Sequence, residues 1–440
     1  MIRTQPAWLV LGVCLTVAGC GGGGTATSSS GSGTTTPVQP TIKLDTVGYS
    51  AVCNGKTHTL AGVKVVLHKA DGSMHSQWAT DNNGHFELQK PADVSHISVV
   101  YKNGQSQYHI QSYISPAYLD LGVLRLADER FSEFCSCKTV SVNWSDIRRA
   151  QPEFKLVLSS QLQAAQTNLT GSVTRNYCAD NSGRFGKVQL MLAPANTGPS
   201  YVSEIDMDSQ PNNSTLELRL ADMTAAGRVI GWSANMALAT LTSDNVQAGT
   251  RHFVFNASGS DTDLLRVFDR DGMRQRVLAV STNQVLSPSS TGTIGYQSSR
   301  QQPLSGNSIT LNLPSNQRAL ADSFSSLLPT WLSSRSGSYN FSSFAGVNQA
   351  LLTAQSNQLR WIYITAPQAS LVDLQLPQAE QTALASERIT YVRLELQGQG
   401  SGLSYADYQK AQAEFSRGTK VDNDGSFDTT QRELIDWTTF

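Results

Sequence analysis

Charge is scarce in this chain: Asp, Glu, Lys and Arg make up 15% of its 440 residues, against about 25% in ordinary soluble proteins. The two signs nearly cancel, leaving a formal net charge of -1. No basic field is present to draw nucleic acid or an anionic lipid surface, which excludes a nucleic-acid partner. Catalytic signatures are missing as well. The nearest approach to a Gly-x-Ser-x-Gly elbow, Gly231-Trp232-Ser233-Ala234-Asn235, departs at its last position, and only His252 could serve as a distal base. No phosphate-binding loop or dinucleotide fingerprint marks a nucleotide partner. Neither His-x-x-Glu nor His-Glu-x-x-His occurs, so no zinc-peptidase site is written here and no cofactor is expected. Ser, Thr, Gln and Asn fill the place of charge, a composition typical of exported β-rich proteins.

One apolar run does stand out, from Trp8 to Val17 behind Arg3. At about ten residues it is too short for a permanent span and reads as an export signal. It ends in Val17-Ala18-Gly19-Cys20, which resembles the lipobox of bacterial lipoproteins. The resemblance implies a signal peptide over 1–19 and lipidation of Cys20 as the new N-terminus. Acyl chains on one cysteine, at about 0.8 kcal/mol per buried CH₂, then anchor the protein to a membrane without a spanning helix. Gly21, standing where an aspartate would retain a lipoprotein, implies the outer membrane. Gly21 to Pro40 is rich in Gly, Ser and Thr and cannot bury enough surface to order itself. The segment 20–40 is therefore a linker, with a reach of roughly 25 Å.

Of six cysteines, Cys14 leaves with the signal and Cys20 is lipidated. Cys53, Cys135, Cys137 and Cys178 remain, an even number in an oxidising compartment. A Cys135 to Cys137 bond would close a very small ring, so one of the two is expected to take Cys53 and the other Cys178. The spacings match no zinc pattern.

From Thr41 to Ala127 short period-two strands alternate with turns. Val63, Val65 and Leu67 share one face, Asp71-Gly72-Ser73 turns the chain, and Met74 to Thr80 returns. Asp81-Asn82-Asn83-Gly84 makes a second turn, whose glycine can adopt positive φ. Ile97 to Tyr101, Tyr108 to Ile110 and Leu121 to Leu126 bring the count to about seven strands, that of a small β-sandwich. Ala61-Gly62-Val63-Lys64-Val65-Val66-Leu67, Ala79-Thr80-Asp81-Asn82-Asn83-Gly84-His85-Phe86-Glu87-Leu88 and Asp120-Leu121-Gly122-Val123-Leu124-Arg125-Leu126 resemble the carboxypeptidase regulatory-like domain. The resemblance implies a transthyretin-like sandwich without catalysis of its own. Six of the seven histidines (58, 68, 75, 85, 96 and 109) fall in this unit. Alternation puts His68 opposite the Val63, Val65 and Leu67 face, so it is expected to meet solvent, with no common metal centre.

The region 139–440 has no fixed-period repeat and reads as strands with a few short helices, with two subdomains expected on either side of loops around Ser281 to Ser305. Strands are expected at Phe154 to Leu158, Lys187 to Leu192, Thr215 to Leu220, Arg228 to Trp232, Ile309 to Leu313, Leu359 to Thr365 and Ile389 to Leu396. Leu264 to Phe268 and Gln275 to Val280 are expected to form a hairpin about Asp269-Arg270-Asp271-Gly272. One helix should run from Asn316 to a stop at Pro329. A second should run from Tyr405 to Arg417, capped by Ser404 and ended by Gly418. Asp422, Asp424 and Asp428, with Glu433 at the twelfth place, partly match a calcium loop, but Phe427 stands where glycine is needed. Trp232, Trp331, Trp361 and Trp437 are candidates for a sugar-stacking surface or for core. The expected fold is mainly β: a sandwich over 41–138 and a larger β-rich region over 139–440. The expected role is non-catalytic binding or structure toward an envelope protein or glycan. The alternative is a polysaccharide hydrolase or lyase with its carboxylates in 139–440.

Overall fold

In Thr41–Tyr49 every second side chain is apolar or small, and the strand buries Ile42, Leu44 and Thr46 completely. A computed structural model describes residues 39–439 apart from 51–52, 54–55, 105–106, 129–134, 161–165, 169, 248–249, 259–263, 290–291, 400–401 and 420–427. It is 52% strand and 13% helix, hence mainly β. Thr41–Tyr49 pairs antiparallel with Thr57–Thr59 and His85–Gln89 and parallel with Asp120–Ala127. A second layer runs Met74–Ala79, Lys64–His68, His96–Lys102, Tyr108–Ile114. Ile42, Leu44, Val65, Leu67, Ile97 and Val99 fill the space between the layers. The unit is a β-sandwich of eight strands, the short Thr57–Thr59 being the one that periodicity did not disclose. Gly84 takes φ +70 as its turn requires; a Cβ there would lie 2.5 Å from the Thr46 carbonyl oxygen.

The second layer does not stop at Tyr108–Ile114. That strand pairs in parallel with Leu359–Thr365, and the sheet continues through Gln349–Gln355, Tyr391–Gly398, Thr430–Thr438, Gly292–Pro303, Arg274–Ser281 and Leu238–Gln247 to Thr250–Ser258. Gln284–Ser289 adds to Gly292–Pro303, giving thirteen strands. Sequence predicted loops near Ser281 to Ser305; these residues instead form two strands of the main sheet. Ser, Gln and Thr fill much of both strands, and composition alone reads such a stretch as loop.

Four helices lie among the described residues: α1 (Ser145–Ala150), α2 (Gln317–Ser334), α3 (Gln378–Leu384) and α4 (Tyr405–Ser416). None is long and apolar enough to cross a membrane. Helix α4 begins and ends where its sequence says: Ser404 Oγ accepts the Asp407 N–H at 3.1 Å, and Gly418 takes φ +69. Helix α2 passes through Pro329 instead of stopping. An internal proline costs about 3 kcal/mol. The apolar face of Leu320, Phe324, Leu327 and Leu328 carries on to Trp331, which is 1% exposed, and burying that indole offsets the loss.

Helix α2 and the segments around Tyr339, Phe341, Leu371 and Leu374 cover the outer face of the sandwich's second layer, burying Val66, Val100, Ile110 and Ile114. Lys64–His68 is thus buried on both sides. From below, α4 clasps the first layer: Arg417 forks onto Asp120 (Nε to Oδ2 3.0 Å, Nη2 to Oδ1 2.7 Å) and reaches Asp45. Two further cores complete the chain. Trp144, Phe154 and Leu156 pack under Cys137–Asn143 and Lys187–Pro194, and Phe253, Phe255 and Phe268 gather between the far end of the main sheet and Arg228–Ala234.

The predicted Asp269-Arg270-Asp271-Gly272 turn forms, with Gly272 at φ +74. It is not a hairpin. Leu265–Val267 pairs with Arg228–Ala234, whereas Arg274–Ser281 joins the main sheet, so the turn hands the chain from one layer to another. All four described cysteines are paired, Cys53 with Cys135 and Cys137 with Cys178. The second pair joins register neighbours of adjacent antiparallel strands. The first ties the sandwich to the segment entering the next sheet and the second braces that sheet, and loops of this length contribute about 4 kcal/mol each.

Candidate cavity at the end of helix α2

Helix α2 ends at Arg335, a residue in the left-handed region (φ +54) whose backbone N–H is held by the Trp331 carbonyl at 2.8 Å. Its guanidinium lies over the Trp331 ring, 4.9 Å from the centroid. Trp331 meets Tyr363 edge-on at 5.7 Å, and Tyr363 stacks on Trp361 at 5.0 Å. Beside these rings opens a cavity of about 350 Å³. Leu359, Leu374, Leu376, Leu384 and Ile389 give it an apolar wall, and Arg335, Asp373, Gln375, Gln381 and Glu387 give it polar groups. Glu387 accepts the Ser356 hydroxyl. Burial pushes the Tyr363 hydroxyl well above the usual phenol range, with Arg335 opposing and Asp373 adding to the shift.

Three buried polar atoms around this aromatic cluster have no hydrogen-bond partner: Trp331 Nε1, Arg335 Nη1 and Tyr363 Oη. The Trp361 indole is satisfied, donating to Ser112 Oγ at 2.8 Å. Ser112 meets Ser98 at 2.7 Å, and Ser98 meets His68 Nε2 at 2.9 Å. A buried polar chain therefore runs from one cavity wall into the sandwich.

His68 corrects the sequence expectation, being buried completely. Alternation did place it opposite Val65 and Leu67, but that face is covered by the C-terminal region instead of water. His96 is its register partner and is also buried. Burial, reinforced by His96, lowers His68 to about 4, and burial together with Arg360 lowers His109 to about 4. Between pH 6.5 and 4 the unfolded chain binds these protons and the fold does not, so stability rises with pH across that window. Acidification from pH 7 to 4 is expected to remove up to about 3 kcal/mol through His68 alone, with His109 acting in the same direction. Calorimetric melting at both pH values checks this, and His68→Gln, which can keep a bond to Ser98, should flatten the dependence. An equal pH slope in wild type and variant would refute the assignment.

The remaining histidines do not converge. His85 pairs with Asp45 at 2.7 Å, His58 with Asp128 at 3.2 Å and His75 with Asp93 at 3.3 Å. Among the described residues no cluster of three or more His, Cys, Asp or Glu could hold a metal ion. Cys20, Asp422 and Asp424 lie outside the described residues. Asp428, the third calcium candidate, is 3% exposed and held by Arg274 (2.8 Å) and Arg276 (3.5 Å), so its charge is already matched by cations. Glu433 faces elsewhere, accepting from Tyr296 Oη at 2.8 Å and from Asn316 Nδ2 at 2.6 Å. Ser233 reaches Thr310 at 3.5 Å, and His252 sits near Glu204 and Lys187; the two form no dyad.

The tryptophans divide. Trp331 and Trp361 are core residues that also wall the cavity, whereas Trp232 packs against the Phe253 core and Trp437 against the α2 core. No single stacking platform exists among them. Arg335, Asp373 and Glu387 were not singled out from sequence, since nothing local marks them.

No protein-family model matches this chain, and no curated protein matches it. Among solved structures, the Bacillus anthracis TIE protein aligns over 62% of this chain and 50% of its own, at 10% identity and a TM-score of 0.15. The native conformation of E. coli alpha-2-macroglobulin aligns over 77% and 26%, at 9% identity and a TM-score of 0.11. The chain thus spans half of the first and about a quarter of the second, and at these scores neither likeness carries an argument about fold or function.

Proposed function

We propose that this protein is a lipid-anchored component of the outer membrane that binds an envelope protein or glycan without transforming it, and that the cavity beside Trp331 is its binding site. The reading joins the lipobox-like Cys20 and linker to a sandwich resembling the carboxypeptidase regulatory-like domain. The observation that carries it is the disposition of charge. Among the described buried carboxylates of the C-terminal region, Asp244 is matched by Arg276, Asp428 by Arg274, Glu380 by Lys64 and Glu395 by Arg432, while Glu433 is held by the Tyr296 hydroxyl and the Asn316 amide. The carboxyl groups of Glu204 and Asp208 move below their usual range, Glu204 through Lys187 and Gln189 against the opposing pull of burial, Asp208 through the Phe185 N–H. That is opposite to the direction a general acid needs. The cavity meanwhile sets a few polar side chains against an apolar wall, which suits recognition.

A second reading has one observation in its favour: Asp373 and Glu387 share a cavity with two tryptophans, the company kept by glycosidase carboxylates. Incubating the purified protein with envelope polysaccharides separates the two. Binding without turnover supports the first reading. Turnover abolished by Asp373→Asn or Glu387→Gln transfers the protein to the second. The anchor has its own test: Cys20→Ala should lose fatty-acid label in growing cells and leave the membrane fraction. Retention of label would refute lipidation at Cys20.

A further inference from the structure

We infer that acid opens one wall of the cavity: protonation of the buried pair His68 and His96 releases the turn over 69–73 and, with it, the segment 373–376 that this turn braces. The coupling is a property of the fold and does not depend on what the cavity binds. His68 and His96 are register partners on adjacent antiparallel strands, 0% and 4% exposed. The turn leaves His68 directly and is fastened beside the pair. His96 Nε2 meets the Ala70 carbonyl at 3.3 Å, and the Lys69 N–H bonds the Ser73 carbonyl at 2.9 Å. Gly72 then makes the contact to the C-terminal region. Its carbonyl accepts the Gln375 N–H at 3.0 Å, and a Cβ on Gly72, at φ +86, would lie 2.3 Å from the Asp373 carbonyl oxygen. Backbone lies on backbone here, with no side chain between to absorb a displacement. Asp373, Leu374, Gln375 and Leu376 line the cavity, so the turn beside the histidines also supports the cavity wall.

The hydrogen bonds of the pair require neutral rings. His96 Nδ1 accepts the Ser115 N–H at 3.1 Å; in the imidazolium both ring nitrogens are donors, so protonation sets donor against donor there. His68 Nε2 bonds Ser98 Oγ at 2.9 Å, while its Nδ1 is buried without a hydrogen bond. Two charged rings in register also repel each other where water is excluded. Neighbouring elements supply little to offset this. The charge that acts on His68 is that of His96, and the charge that acts on His96 is that of Asp71, at the exposed side of the turn. Asp71 favours a protonated His96, as the Gly72 carbonyl favours a protonated His68, but burial outweighs both. Lys64 is taken by Glu380 and Asp93 by His75, Lys69 is exposed, and Asp373 meets the turn through its backbone carbonyl. Held shut, His68 titrates at about 4; released into water it titrates near its ordinary 6.5. Acid therefore favours the open arrangement, with opening nearly constant above pH 7 and rising as pH falls from 6.5 toward 4.

The test is hydrogen exchange of the full-length protein in detergent, read by mass spectrometry and divided by the intrinsic rate at each pH. Between pH 7 and pH 5, protection of peptides covering 69–73 and 373–376 should fall about twentyfold or more, the factor that His68 alone brings. Peptides from Leu238–Gln247 and Arg274–Ser281, in the far core, should keep theirs. His68→Gln should shrink the fall, and His68→Gln with His96→Gln should abolish it. A variant that is merely loosened loses protection at both pH values and keeps the wild-type slope, so the slope separates titration from packing. Wild-type protein alone can also decide the matter. Constant protection of 373–376 overturns the inference, as does a fall shared equally by the far core, which would mean that acid unfolds the whole chain. A fall confined to 69–73 breaks the link to the cavity and overturns it too, as does a double variant that keeps the wild-type slope. None of these outcomes bears on whether the cavity binds a ligand at pH 7, which titration with envelope polysaccharides reads separately.

Discussion

Asp244→Ala is expected to destabilise the protein by about 3 to 5 kcal/mol, measured as a shift in the urea unfolding midpoint. Asp244 lies on the Leu238–Gln247 strand with its side chain 5% exposed, accepting from Arg276 (Nε 2.9 Å, Nη2 3.1 Å) and from Arg251. Arg276 also touches Asp428, and Asp428 holds Arg274. Three arginines thus alternate with two aspartates in one cluster. Removing Asp244 takes away the carboxylate that Arg251 and Arg276 share. The cost arises from that stranded charge more than from the lost attraction. Replacing Asp244 and Arg276 together by leucine should therefore cost less than Asp244→Ala alone. A single-variant loss below about 1 kcal/mol would mean that water screens the cluster as it screens surface pairs.

Trp361→Ala is expected to cost about 3 to 5 kcal/mol as well, for a different reason. Trp361 sits opposite Ile110 in the parallel seam where the sandwich meets the C-terminal strands. Its ring stacks on Tyr363, and its Nε1 bonds Ser112 across the seam. Truncation removes packing on one side and a buried donor from the Ser112, Ser98 and His68 chain on the other. Trp361→Phe should lose only about 1 kcal/mol, the share of the hydrogen bond. Monitored by fluorescence and circular dichroism together, wild type should unfold in one transition, with the alanine variant separating into two as the seam loosens. One unchanged transition in the alanine variant would show that other contacts, such as Arg417 on Asp120, hold the two parts together unaided.

Strand positions were legible in the sequence because period-two alternation is a local property. Lys187–Pro194, Leu359–Thr365 and Arg274–Ser281 begin and end close to where their alternation does. Helix α4 was legible for a like reason, since Ser404 and Gly418 mark its ends through bonds to their own neighbours. Pairing was not. Asp269-Arg270-Asp271-Gly272 specifies a turn but says nothing of which sheet receives the next strand. Exposure was not legible either, for alternation tells one face from the other without telling which is wet, and His68 fell on a face that residues three hundred positions away conceal. The cavity was invisible for that reason too. Arg335 stands at a helix end, Asp373 in a loop and Glu387 beyond α3, and each reads as an ordinary surface charge until folding brings them to one wall.

Thr430–Thr438 lies in the interior of the thirteen-stranded sheet, with Gly292–Pro303 on one side and Tyr391–Gly398 on the other. A ribosome delivers residues in order, at about 5 to 20 per second, so the piece that joins the two halves of the sheet emerges after both of its neighbours. Until it arrives, two neighbouring strands present unpaired edges that invite contact with other chains. A product that stops short of this strand leaves both of those edges open to aggregation.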